Sequence, residues 1–396
     1  MKLTNYTLNK GFYYLISILV LGFTFSLMIF AASDIYGDQE GGAGNTWSHL
    51  IRIGIIVCGI ITIASNNFKL GNSTLIKYIG LWIFWMFICN ISTPDRYVTN
   101  LTFVLLWPIV FLAFNIIRKS KLEEKFIARL FICLFIIASL IYSVVLQARN
   151  IDIEGRLASV NHIYFIVLLL PGVLLIKSGL IRNGFLIGIV LLTVLSAKRG
   201  AMLAIFVSSA IYIYYTYVKN KGKGINGFGL FLGIILIMGI SYLFTIINDS
   251  YGGYLLSRFE RLEEDKGSGR LDIYAEVLTN FNNSPWYEKL IGHGHNMVKQ
   301  STSFFLSAHN DYLEVLYDYG IIGLIIVLLI VKELIKRSIQ LYRCKSLNFA
   351  NYFSAVIIFL FMTTVSHIIL YPTYIVFLAI YFGYMEPIIS QEIKNK

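Results

Sequence analysis

The sequence predicts an all-α, polytopic membrane protein with about 12 transmembrane helices and one large outer loop. The first observation behind this is composition. Of 396 residues, 57% are hydrophobic and only 14% charged, against roughly a quarter charged in a soluble domain. A hydrocarbon core takes roughly 20 helical residues to cross, so twelve crossings use about 240 residues, close to the apolar share. That balance excludes a soluble enzyme, a disordered chain and a disulfide scaffold. The second observation is that basic residues recur in alternate loops. The third is a single long polar insertion.

Apolar windows place the spans at 11–32, 48–66, 76–92, 100–117, 126–147, 161–177, 183–197, 200–218, 227–247, 313–331, 349–370 and 372–390. The run from Gly11 to Ala32 exceeds a signal-peptide h-region and reads as a retained first span. The seventh window is short, and the last contains Pro372, Glu386 and Pro387. Lys2 and Lys10, Lys69 and Lys77, Arg118 to Lys125, Lys177 and Arg182, Lys219 to Lys223, Lys332 to Lys345, and Lys394 with Lys396 all fall on one side. The positive-inside rule makes that side, with both termini, cytoplasmic, and it accounts for about 20 of the 33 basic residues. The net charge of +11 is therefore mostly a topology signal. Nucleic acid is not an expected partner, because the basic loops are short and lack interleaved aromatics. Cys58, Cys89, Cys133 and Cys344 show no zinc or disulfide spacing. No repeat or linker divides the chain, so residues 1–396 read as a single integral membrane domain.

The insertion, residues 248–312, lies on the outer side by parity. A loop of that length is usually functional or disordered. Arg270 to Phe281 sets Leu271, Tyr274, Leu278 and Phe281 at helical spacing, and Asn282-Asn283-Ser284-Pro285 ends that helix. Gly292-His293-Gly294 reads as a turn. Ser307-Ala308-His309-Asn310-Asp311 then leads into the tenth span, and Asp311 with Glu314 has capping-box character. His309 would sit just before a helix N-terminus, whose positive end disfavours imidazolium. A neutral histidine can serve as a general base; the plainer alternative is a capping role.

Several outward basic residues run against the topological bias: Arg149, Arg156, Lys198, Arg199, Arg258, Arg261 and Arg270. The guanidinium fork matches phosphate oxygens in bidentate fashion. For Arg258 and Arg261, beside Glu260, Glu263, Glu264 and Asp265, surface ion pairs are the favoured reading. Arg199 and Arg270 have no such acidic run, and a phosphate ligand is favoured. His293, His295, His309 and Asp311 lack metal-ligand spacing and carboxylate density, so no metal is expected. His49, His162 and His367 fall at span ends, where interfacial hydrogen bonding is expected.

Four segments carry a family resemblance. Ser307 to Leu324 (S-A-H-N-D-Y-L-E-V-L-Y-D-Y-G-I-I-G-L) resembles the H-N-x-x-L-x-x-x-x-x-x-G-x-x-G signature of the O-antigen polymerase and O-antigen ligase superfamily. R-L-A-S-V-N-H (156–162), L-S-A-K-R-G-A (195–201), and S-G-R-L-D-I-Y (268–274) with L-I-G-H-G (290–294) resemble its other elements in order. Tyr274 stands where tryptophan is commoner. The likeness covers the C-terminal 240 or so residues; the first 150 resemble the family in hydropathy alone.

The resemblance implies a C-type glycosyltransferase fold in the bacterial inner membrane. The active site would face the periplasm from the 248–312 loop, without cofactor or metal. The donor would be an undecaprenyl-diphosphate-linked oligosaccharide. A chain-length regulator, other polysaccharide-assembly membrane proteins and membrane lipids would be partners. Carried onto this chain, His309 becomes the catalytic residue, and Arg199 and Arg270, with Arg156 and Lys198, become diphosphate ligands. A polymerase is the first expectation and a ligase to lipid A–core the alternative. A transporter or flippase is the reading from another class. Transporters carry ionisable residues near the midplane, whereas these predicted span interiors hold almost no charge, although Pro171-Gly172 leaves room for a broken helix.

Overall fold

The computed structural model describes residues 13–26, 46–68, 70–91, 97–116, 123–147, 162–196, 198–219, 270–303 and 305–395, with residues 11, 245 and 249. Among these the protein is all helical. The N-terminal half contains α1 (Tyr13–Ser26), α2 (Thr46–Ser65), α3 (Thr74–Asn90), α4 (Tyr97–Ile116), α5 (Glu123–Gln147), α6 (Ile163–Val173), α7 (Gly179–Leu195) and α8 (Arg199–Ile213). After them come α9 (Arg270–Asn283), α10 (Trp286–Ile291), α11 (Met297–Ser301), α12 (Asp311–Arg343), α13 (Phe349–Val365) and α14 (Pro372–Lys394). Every predicted span except the ninth falls on one of these helices; apart from Thr245, 227–247 lies outside the described residues, as do Arg149, Arg156, Arg258 and Arg261.

The chain is a polytopic all-α membrane protein. Among the described residues, four helices are long and apolar enough to cross a membrane: Trp47–Ser65, Lys125–Leu146, Asp311–Arg343 and Tyr374–Lys394. Apolar side chains also cover much of the outside, including Ile18, Phe84, Leu140 and Leu180. A helix bundle apolar on both its core and its perimeter matches a lipid solvent. Helix α6 is apolar all round and buried at every position, flanked by α5, α7 and α14. Its 11 residues reach only about 16 Å, so the sixth window is shorter as a helix than expected. Pro171 removes one rung of its ladder, and the glycine that follows is packed on the Phe131 ring.

Two further expectations are corrected. The stretch from Lys332 to Lys345 is not a basic loop as a whole, because α12 continues as helix to Arg343. Its charges are met across the bundle: Arg337 Nη2 is 2.8 Å from Glu386 Oε1 on α14, and Arg337 Nε is 3.3 Å from Glu333 Oε1. In α9 the predicted helix is present, but its buried stripe is Ile273, Val277 and Phe281. Leu271 and Leu278 are exposed, and Tyr274 is only partly covered. The stripe is chosen by its partners Val298, Ala308 and Tyr317, which lie around the first turns of α12.

Those first turns are set apart by a break. Gly320 has φ 68 and ψ −175 inside α12, so Asp311–Tyr319 and the remainder form two helical pieces. The break releases three carbonyls, and each finds a donor. Tyr317 O accepts from the His293 N–H at 3.2 Å, Asp318 O from the Gly294 N–H at 2.9 Å, and Tyr319 O from Trp85 Nε1 at 3.0 Å. Gly292, at φ 93, crosses Gly320 backbone to backbone, and a Cβ on either would collide with the other's segment. Only glycine tolerates both the dihedral and the approach. The Asp318 carboxylate then accepts from the Asn296, Met297 and Val298 N–H groups at 2.7–3.0 Å, seating α11. The Gly292-His293-Gly294 turn thus fastens residues 270–303 to α12.

Candidate functional site

The start of α12 is organised by Asn310. Its side chain accepts from the Tyr312 and Leu313 N–H groups at 3.0 and 3.2 Å, which makes it the N-cap. The expected Asp311–Glu314 capping box is therefore displaced by one residue. Glu314 Oε1 instead accepts from the His309 N–H at 3.0 Å. Asp311 points across the bundle, accepting from Ile368 N at 2.8 Å and Ile369 N at 2.9 Å. This buried carboxylate pins the segment joining α13 to α14 against the His309 turn.

The pinning brings two histidines together. His309, held at φ 54 just before the helix, stacks on His367 with ring centroids 4.5 Å apart and planes 19° from parallel. His367 also meets the Tyr371 ring, at 4.0 Å between centroids. The Tyr371 hydroxyl in turn donates to Asn296 Oδ1 at 3.3 Å and bonds Ser307 at 3.0 Å. Burial pushes His367 down to about 3, helped by the positive charges of Arg270, Lys299 and Lys198. It is a neutral imidazole with three cations in electrostatic reach. Glu314 Oε1, 3.6 Å from His367 Nδ1, is thus beside an uncharged ring and not in an ion pair.

The cations gather around the end of α13. Arg270 Nη1 donates to Val365 O at 2.7 Å, meeting a free carbonyl at that helix terminus. A Cβ on Gly200 would touch Val365 Cγ2 at 3.3 Å, so the first turn of α8, with Arg199 at its head, abuts the same residue. Lys198 lies over the Tyr164 ring at 5.6 Å. Arg199, Arg270 and Lys198 are each half-buried, as is His309. Residues from four separate stretches (198–200, 270, 309 and 365–367) thus converge at one end of the helices. Such a cluster provides fixed positive charge for an anion and an imidazole beside it.

Arg156 lies outside the described residues. Sequence reasoning gave His367 an interfacial hydrogen-bonding role and did not place it in this site, and it did not single out Lys299; for His367 the available signal was a histidine in the break between two apolar runs, ahead of Pro372. The other histidines take separate partners. His293 bonds Ser284 at 2.9 Å and stacks on Tyr317. His295 bonds the Tyr319 hydroxyl at 2.9 Å and lies against Phe103, whose ring carries Arg52 at 3.8 Å. Burial and then Arg52 push His295 down to about 4. His49 has the expected hydrogen-bonding environment, with Arg52 and Thr102. His162 departs from that expectation: it is buried and neither ring nitrogen has a hydrogen-bond partner.

The fold and this cluster define a polytopic helical membrane protein with a cationic, histidine-bearing site at one end of its helices. Residues 184–328 match the family model described as O-antigen ligase, a similarity that supports the O-antigen polymerase/ligase superfamily. The matched stretch contains Lys198, Arg199, Arg270 and His309 and excludes Arg156 and His367. No curated protein matches the chain. That match supports, in general, an activity of O-antigen ligase or polymerase type, and the family it names implies a lipid-linked glycan as substrate class.

Proposed function

We propose that the chain is an O-antigen (surface polysaccharide) polymerase. It joins undecaprenyl-diphosphate-linked oligosaccharide repeat units on the periplasmic face of the bacterial inner membrane, by inverting, metal-independent transfer. The supporting observation is the convergence of Lys198, Arg199 and Arg270 with His309 around the end of α13, within the family-matched region. Outside the cytoplasm no nucleotide sugar is supplied, so the donor carries its own activation as a lipid diphosphate. An acceptor hydroxyl oxygen attacks the anomeric carbon. The bond from that carbon to the diphosphate oxygen breaks, the diphosphate leaves with the electron pair, and His309 takes the hydroxyl proton. Negative charge grows on the leaving group, so cations fixed at that place stabilise the transition state more than the ground state. Arg156 is assigned to the same diphosphate. The chain-length regulator remains the proposed partner.

Transfer to lipid A–core is the second reading, favoured by the ligase description of the matched family. Purified protein given lipid-linked repeat units, with and without lipid A–core, separates the two. A product ladder without core supports polymerisation, and transfer that requires core replaces it with ligation. No transfer under either condition rejects both.

A further inference from the structure

A second polar site lies at the other end of the helices. Beyond its break at Gly320, helix α12 runs on to Arg343 as a piece about 35 Å long, enough to cross the roughly 30 Å hydrocarbon core, so the two ends of α12 lie at opposite headgroup levels. His309 precedes one end. Around the other, the start of α3, the end of α4 and the last turns of α12 and α14 enclose a cavity of about 480 Å³, within the ~300–1,000 Å³ range of ligand sites.

The floor of this cavity is built and incompletely satisfied. Glu386 is 1% exposed; its Oε1 takes Arg337 Nη2 at 2.8 Å and the Ser390 hydroxyl at 3.0 Å, and the Ser73 side chain also hydrogen-bonds this carboxylate. Its Oε2 is buried without a hydrogen-bond partner. Asn115, 6% exposed and also lining the cavity, has its Nδ2 buried without a partner. Buried polar atoms are normally bonded, and each exception calls for an explanation. Here two residues that line the same cavity each hold one buried polar atom without a hydrogen-bond partner, an acceptor on Glu386 and a donor on Asn115. Arg337 is shared between Glu333 and Glu386, so it does not satisfy the second oxygen. Lys336 and Lys394 line the same cavity and are exposed.

We propose that this cavity binds an aminophospholipid headgroup, a phosphodiester bearing a primary ammonium. The ammonium donates to Glu386 Oε2, a phosphate or ester oxygen accepts from Asn115 Nδ2, and Lys336 and Lys394 face the phosphate. A primary ammonium has three N–H donors. A trimethylated one has none, so the site discriminates by donor count and not by charge. The position at a helix end, at headgroup depth, favours a membrane lipid over a free solute. This site is independent of the catalytic reading.

Native mass spectrometry of the purified full-length protein tests it, with phosphatidylethanolamine and phosphatidylcholine of identical acyl chains and with soluble phosphoethanolamine. The expected result is at least tenfold tighter retention of phosphatidylethanolamine, reduced to the phosphatidylcholine level in Glu386→Gln. The double substitution Lys336→Ala/Lys394→Ala, which keeps the Arg337–Glu386 pair but removes the 3.3 Å contact of Lys336 with Glu333, should weaken retention of both phospholipids. Equal binding of the two lipids overturns the proposal, as does an ethanolamine preference that survives Glu386→Gln. If Glu386→Gln does not fold, undiminished retention in the lysine variant overturns it. Binding of phosphoethanolamine without any lipid preference overturns the assignment to a lipid.

Discussion

Acidification should destabilise this protein through two imidazoles that the fold holds neutral. His367 is pushed down to about 3 and His295 to about 4, both chiefly by burial, from the usual 6.5. The folded state thus binds fewer protons than the unfolded state below the ordinary histidine value. Stability from this source is complete above 6.5 and is lost as pH falls from 6.5 towards 4 and 3. At about pH 5 each ring resists a proton that the unfolded chain accepts with about 1.5 units of driving force, or ~2 kcal/mol. The two together amount to ~4 kcal/mol, which for a chain of this size lowers Tm by about 5 °C relative to pH 8. His367→Phe removes one titrating ring while keeping an aromatic surface for His309 and Tyr371. Thermal unfolding in detergent, followed by tryptophan fluorescence at both pH values, should show the acid-dependent loss shrinking by ~2 kcal/mol in the variant. A pH dependence that is identical in the two proteins would refute the claim that His367 is buried as a neutral ring.

Three further outcomes are expected. Gly320→Ala forces a side chain into φ 68 and onto the Leu290 and Gly292 backbone; it should lower stability by at least ~1–2 kcal/mol, and an unchanged Tm would contradict the crossing. Asp318→Asn replaces one of the oxygens that receive the Asn296, Met297 and Val298 N–H groups; a loss of ~1–3 kcal/mol should appear with faster hydrogen exchange at those amides, and protected amides would sink the idea. Arg270→Lys keeps the charge but loses the fork that reaches Val365 O; donor KM should rise about tenfold, as expected for ~1.4 kcal/mol, and an unaltered KM would leave Arg270 a purely structural cap.

Much of the helix order was legible because hydropathy is a local property. Each apolar window among the described residues falls on a helix, and the α9 start at Arg270 and its Asn-Pro ending were readable from side-chain chemistry. What was illegible depends on partners distant in sequence. Both Leu271/Leu278 and Ile273/Val277 are helix-spaced apolar sets, and only Tyr317 and Val298 decide between them. The charges from Lys332 to Arg343 look like a loop until Glu386, far along the chain, pairs with Arg337. His309 could be singled out from its motif. That His367 stacks on it could not be read, because the contact depends on Asp311 reaching the Ile368 and Ile369 amides. The N-cap likewise moved to Asn310 because Asp311 was committed to that contact.

The central claim is that this cationic cluster and His309 drive glycosyl transfer from a lipid diphosphate. A single-turnover assay with lipid-linked repeat units in EDTA, following release of undecaprenyl diphosphate together with formation of the dimeric glycan, tests it most directly. The account predicts coupled release and transfer by the unaltered protein, and a fall of about 10²–10⁴-fold in rate for His309→Ala with donor still bound. Transfer at the full rate by His309→Ala, or transfer abolished by EDTA, would contradict it.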